Sequence, residues 1–63
     1  MQTYRVTYDH GAFGSWEYNI VRTGERVPVL SNVRDDRYPD SVYAAERVAR
    51  ELCAKMNREE VTA

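Results

Sequence analysis

A chain of 63 residues has room for one small domain, which buries only roughly 60% of its unfolded surface and rarely walls off an enzyme cleft. Nine Lys and Arg against ten Asp and Glu leave a net charge of −1, which excludes the broad basic footprint of a general nucleic-acid binder. A hydrophobic content of 43% excludes compositional disorder, and a single cysteine, Cys53, excludes an internal disulfide and a four-thiolate zinc site.

A small domain without disulfides suits a reducing compartment. Met1–Tyr8 contains no apolar core of a signal peptide, and no apolar stretch approaches the roughly 20 residues of a membrane span. A cytoplasmic protein is therefore expected. Eight of the nine basic residues are Arg, whose planar fork suits bidentate contacts at interfaces.

Tyr4, Val6 and Tyr8 alternate with Arg5 and Thr7, which predicts a strand over about 3–8. Asp9 to Gly14 supplies turn residues, with Gly11 and Gly14 free to take positive φ. Trp16, Tyr18 and Ile20 alternate with Glu17 and Asn19 in a second strand over 15–22. A short turn around Gly24 leads to a third strand over 26–33, placed at a sheet edge because Pro28 has no N–H to donate. The loop Arg34–Pro39 follows, and Asp40 or Ser41 caps a helix over about 41–58. At about 100° per residue, Val42, Ala45, Val48, Ala49, Leu52, Cys53 and Met56 form one apolar stripe. Residues 59–63 are expected to fray. The fold class is α+β: a two-layer β-β-β-α domain, its three-stranded antiparallel meander covered on one face by the helix. The covered face carries Tyr4, Val6, Tyr8, Trp16, Tyr18 and Ile20; the other, with Arg5, Thr7, Glu17, Asn19 and Val21, is expected to be mostly solvated.

Catalytic candidates are few. Cys53 lies on the apolar stripe, where a core thiol is the ordinary finding, and His10 lies in a turn. Asp9, His10, Asp35 and Asp36 have neither zinc nor EF-hand spacing, and no metal or cofactor is expected. Gly11–Gly14 precedes a strand instead of a helix N-terminus, so a hairpin turn explains its glycines better than a phosphate cradle does. Two features exceed what a core needs. Tyr43 falls on the polar arc of the helix with Arg47 and Arg50, the composition of a binding hot spot, unless it simply covers Tyr38 or the preceding loop. Arg34, Asp35, Asp36, Arg37 and Tyr38 concentrate charge and an aromatic ring in one connection, with Asp40 close behind. The first strand has no Pro or Lys to protect its edge, which leaves it open to homodimerisation or to another protein's strand.

The element order carried by Tyr4–Tyr8, Trp16–Val21, Val27–Leu30 and Ala44–Leu52 resembles the sheet-plus-helix DNA-binding domain of tyrosine recombinases. That resemblance implies a sheet inserted in the major groove, although this sheet offers Glu17 as well as Arg5 and the chain is net acidic. In size and single-domain character the chain also resembles the small phage and mobile-element anti-CRISPR proteins, a resemblance of type carried by no motif. It implies a non-catalytic, stoichiometric inhibitor acting by surface occlusion, with a host CRISPR effector subunit or complex as partner and carboxylates such as Asp35, Asp36 and Asp40 standing in for phosphates. The binding residues then expected are Tyr43, Arg47, Arg50, Arg34, Asp35, Asp36, Arg37, Tyr38 and Asp40. Residues 34–63 carry six of the nine basic and seven of the ten acidic side chains, which points the search for a partner to the loop and helix.

Overall fold

The computed structural model describes residues 2–62, and the side chains of residues 2–59. The two alternating segments form β1 (Tyr4–His10) and β2 (Trp16–Arg22), antiparallel, with Val6 opposite Ile20 and Thr7 opposite Asn19. Between them Ser15 N–H returns to the Ala12 carbonyl at 3.2 Å, across Phe13 and Gly14 at φ 58° and 75°. These angles match the type I′ turn that the twist of a hairpin favours. Gly11 stays extended at φ −96°, so the second left-handed position falls to Phe13 instead of a glycine.

Helix α1 (Val42–Thr62) begins where Ser41, not Asp40, accepts the Ala44 N–H on its Oγ at 3.2 Å. Its helical span reaches Thr62, past the expected end near 58; Ala63 lies outside the described residues. Ala45, Ala49 and Cys53, spaced four apart, are buried against the sheet, and Val42, Val48, Leu52 and Met56 flank them half-buried. Two of the three central residues are alanine, so the helix backbone lies close over Ile20, which is fully buried. Tyr18 Oη reaches Glu46 at one end of the contact, and Asn57 grips β1 at the other. The helix thus runs parallel to β2.

The third strand expected over 26–33 does not form, and among the described residues the sheet has two strands. Ile20 and Leu30 make a single bridge, and the ladder stops on both sides of it. In that register the next bonded pair toward the turn would be Arg22 with Pro28, and Pro28 has no N–H to give. Arg22 instead accepts from Glu25 N–H at 2.9 Å. In the other direction Asn32 N–H donates to the Asn19 side-chain oxygen at 2.9 Å, and Val33 takes the Tyr18 carbonyl in its place at 2.8 Å. Asn32, at φ 55°, is the extra residue that absorbs the slip.

The face expected to be solvated is also corrected. Asn19 and Val21 are 2% and 5% exposed, and Asn19 is buried with its bonds made: it donates to Asp9 at 2.9 Å and accepts from Asn32. On the helix side Tyr8 remains 48% exposed, so cover is incomplete there. The accessible surface of 4886 Å² exceeds the about 4,200 Å² of an ordinary folded monomer of this mass.

Close approach of the helix sets a mutational expectation. Ala49→Leu keeps helix propensity but overfills the contact with Ile20, and should cost about 1–3 kcal/mol in urea unfolding. Ala54→Leu, on the exposed side of the following turn, should change stability by less than about 0.5 kcal/mol. Equal effects at the two positions would contradict the packing described.

Candidate functional site

Four of the nine residues singled out in the sequence turn out to hold one another or the fold. Arg34 stacks its guanidinium on Trp16, 3.8 Å above the ring centroid. Its nitrogens donate to the Asn32 side-chain oxygen at 2.9 Å, the Pro39 carbonyl at 2.8 Å and the Trp16 carbonyl at 3.0 Å. The cation is therefore committed inside the chain, joining the start of β2 to the residues that precede α1. Asp35 is committed as well: one oxygen accepts Arg37 N–H at 2.9 Å and the other meets Arg47 at 3.2 Å. Its side chain is only 12% exposed, which leaves little of it to imitate a phosphate. Arg50 pairs with Glu46 at 3.0 Å on the helix flank, away from the loop. Across so exposed a pair the attraction is weak.

Asp36, Arg37, Tyr38, Asp40 and Tyr43 remain exposed on the outside of the loop and helix start. Tyr38 is 61% and Tyr43 83% exposed, so Tyr43 does not serve as a cover for Tyr38 or the loop. Tyr43 lies one turn before Arg47, whose bond to Asp35 ties that helix face to the loop carrying Tyr38. Loop and first helical turns form one surface.

Phe13 belongs to the same end of the molecule and is not among the residues that sequence reasoning singles out. It is fully exposed at the hairpin tip, in a left-handed conformation that costs an L-residue about 1–2 kcal/mol. An aromatic ring between turn residues, next to the glycine that would bear this conformation without strain, is the available signal. Trp16 follows the tip, and Arg34 joins it to Pro39, so the tip, the loop and the helix start share one end of the slab.

The remaining chemistry is separated or quenched. His10 ends β1 beside the Tyr8 ring, whereas Cys53 sits near Tyr4 at the strand's beginning, about 20 Å away along β1. No nucleophile–base pair exists between them. Burial pushes the Cys53 thiol above its ordinary value of 9.0, and the Asn57 amide 3.7 Å away offsets this only in part. Burial and the Glu46 carboxylate likewise raise the Tyr18 phenol above 10.0. A shallow concavity of about 420 Å³ lies among Asp9, His10, Trp16, Glu17, Asn32 and Arg34, but Asn19 and the Trp16 stack already occupy much of its polar lining. Among the described residues no three His, Cys, Asp or Glu side chains converge as a metal site, and no helix is long and apolar enough to cross a membrane. Comparison with protein-family models, curated proteins and solved structures finds no match to the chain.

Two measurements check this description. Arg34→Ala should lose about 2 kcal/mol in urea unfolding followed by the fluorescence of Trp16, and Arg34→Lys should recover less than half of it, because lysine lacks the fork. Stability should also decline at alkaline pH. Cys53 and Tyr18 hold their protons more tightly folded than unfolded, so their contributions are complete below 9.0 and 10.0 and are lost as pH rises through the folded values. The urea midpoint should fall from about pH 9 upward, with Tyr18→Phe removing the later part of the decline.

Proposed function

We propose that this chain is a non-catalytic protein-binding module whose contact surface is the end of the slab bearing Phe13, Tyr38 and Tyr43. The observation that carries the proposal is their exposure, 106%, 61% and 83%, at one end of a chain that has only five buried apolar side chains among the described residues. Exposed rings of this kind cost solubility and give the fold nothing, while Tyr beside Arg is the usual content of a binding hot spot. Arg37 and Arg47 with Asp36 and Asp40 form a rim of mixed charge around the rings, suited to orienting a protein partner.

The most concrete form of this reading is a stoichiometric inhibitor, similar in type to anti-CRISPR proteins, that occludes a working surface of a host nucleoprotein complex in the cytoplasm. Phosphate mimicry would rest on Asp36 and Asp40, because Asp35 is neutralised by Arg47. Insertion of the sheet in a DNA groove finds less support. The sheet face away from the helix is closed at Asn19 and Val21, and what stays open there sets the single cation Arg5 against the carboxylates of Asp9 and Glu17.

Alanine at Tyr43 should weaken capture of the partner complex by about thirtyfold or more, and alanine at Tyr38 or Phe13 by a smaller factor, with helical circular dichroism unchanged. Arg50→Ala on the far flank should leave capture intact. Binding measured by pull-down and calorimetry that ignores Tyr43 and Phe13, or that falls steeply with salt on bare duplex DNA, would refute the reading.

A further inference from the structure

The outer edge of β1 is specified for one kind of neighbour. Ile20 exchanges both backbone bonds with Leu30, and Tyr18 accepts from Val33, so those residues of β2 face away from β1. The β1–β2 ladder therefore runs through Arg5, Thr7 and Asp9, while the backbone groups of Tyr4, Val6, Tyr8 and His10 point outward. At Tyr4 the chain supplies its own substitute for a neighbouring strand: the Asn57 amide accepts Tyr4 N–H at 2.8 Å and donates to Tyr4 C=O at 3.1 Å. Among the described residues nothing meets Val6, Tyr8 and His10 in this way. The groove beside them, lined by Arg5, Val6, Arg50 and Asn57, is open.

We propose that a second copy of this chain pairs with β1 along this edge, antiparallel, with the two-fold axis at Thr7. Residues 5–9 read Arg-Val-Thr-Tyr-Asp, so that register places each Arg5 opposite Asp9 of the other copy. Val6 and Tyr8 then exchange both backbone bonds with Tyr8 and Val6, and the two Thr7 side chains meet at the centre, a favourable cross-strand pair. The charge pairing answers a defect within the single chain. Asp9 lies directly opposite Glu17, and like charges so placed repel; only the Asn19 amide bridges them, at 2.9 and 3.5 Å. Arg5, exposed on the same face, has no carboxylate within ion-pair reach among the described residues. A register centred on Tyr8 would instead set Arg5 opposite Gly11 and Asp9 opposite Thr7, leaving every charge unmatched. In the Thr7 register, His10 falls opposite Tyr4, where Asn57 already closes the edge and pairing stops. The inference does not depend on the partner proposed above, since the aromatic end and the β1 edge are separate surfaces.

The test is a charge reversal read by sedimentation equilibrium. The natural chain should show a concentration-dependent shift to twice the monomer mass. R5E and D9K should each weaken self-association by about tenfold or more, by placing like charges opposite one another twice per dimer. Mixing the two variants should restore it, because the carboxylate introduced in one then faces the ammonium introduced in the other, while the natural Arg5 and Asp9 that remain still face each other. A separate arm needs no charge change: under mild oxidation Thr7→Cys should cross-link to itself faster than Tyr8→Cys, since residues facing each other across the axis at a non-bonded pair lie within disulfide reach. Monomer mass at all concentrations would overturn the proposal. So would a dimer indifferent to both reversals, a faster cross-link at Tyr8, or occupation of the edge by a foreign peptide strand in place of a second copy.

Discussion

The stacking of Arg34 on Trp16 is the constraint from which the rest of this end of the structure follows. Residues 23–41 connect β2 to α1 without a regular element, and so long a connection in so small a protein needs cross-links to hold one course. The Ile20–Leu30 bridge and the Asn19–Asn32 bond fix its first half. Arg34 fixes its second half from a single residue, since one planar cation reaches β2, the loop and Pro39 together. Arginine suits this position because its fork serves three acceptors while its face lies on the indole. The helix covers Ile20; Arg34 does the same for Trp16, where the helix does not reach.

That arrangement lets a thin core suffice. Ala45 and Ala49 bury little area, but they let the helix sit close enough for Tyr18 to meet Glu46 and for Asn57 to meet the backbone of β1. The stability that larger side chains would supply by area comes here from contact distance and from satisfied polar groups at both ends of the helix. Extents of 39 × 25 × 14 Å follow, a slab one helix and one sheet thick. A slab of two layers cannot enclose its aromatics, which is why Tyr8, Tyr38 and Tyr43 stay in contact with water.

The strands and the helix are legible because their periods are written in side chains: alternation over Tyr4–Tyr8 and Trp16–Ile20, and the stripe from Val42 to Met56. The third strand is misread because alternation and β-propensity do not reveal parity. Pro28 is visible, but only the register set by Leu30 shows that its missing N–H falls on the bonded side. Asn19 fails in the other direction, since a polar residue between apolar ones reads as solvated unless its partners are known. Those partners, Asp9 and Asn32, come from two different segments. The same holds for the candidate site. Arg34 and Asp35 look like part of an exposed charge cluster, and long-range contacts with Trp16 and Arg47 turn them inward.

What remains outside once those contacts are made is better defined than the charge run suggests. Because Arg34 and Asp35 are committed to holding the loop, Tyr38 is presented on a braced support, at the same end as Tyr43 and the Phe13 tip. Order in the loop then reduces the entropy lost when a partner is bound, which is the physical advantage of a preorganised surface. In the proposed binding module, a mutation at Arg34 would therefore act on binding without touching the partner, by releasing the loop that carries Tyr38. The β1 edge is built on the opposite principle. Its backbone groups are regular and its side chains 5–9 are complementary to their own reversal, so it asks for a copy of itself. Two copies joined there would run antiparallel, and their aromatic ends would point in opposite directions along the shared sheet.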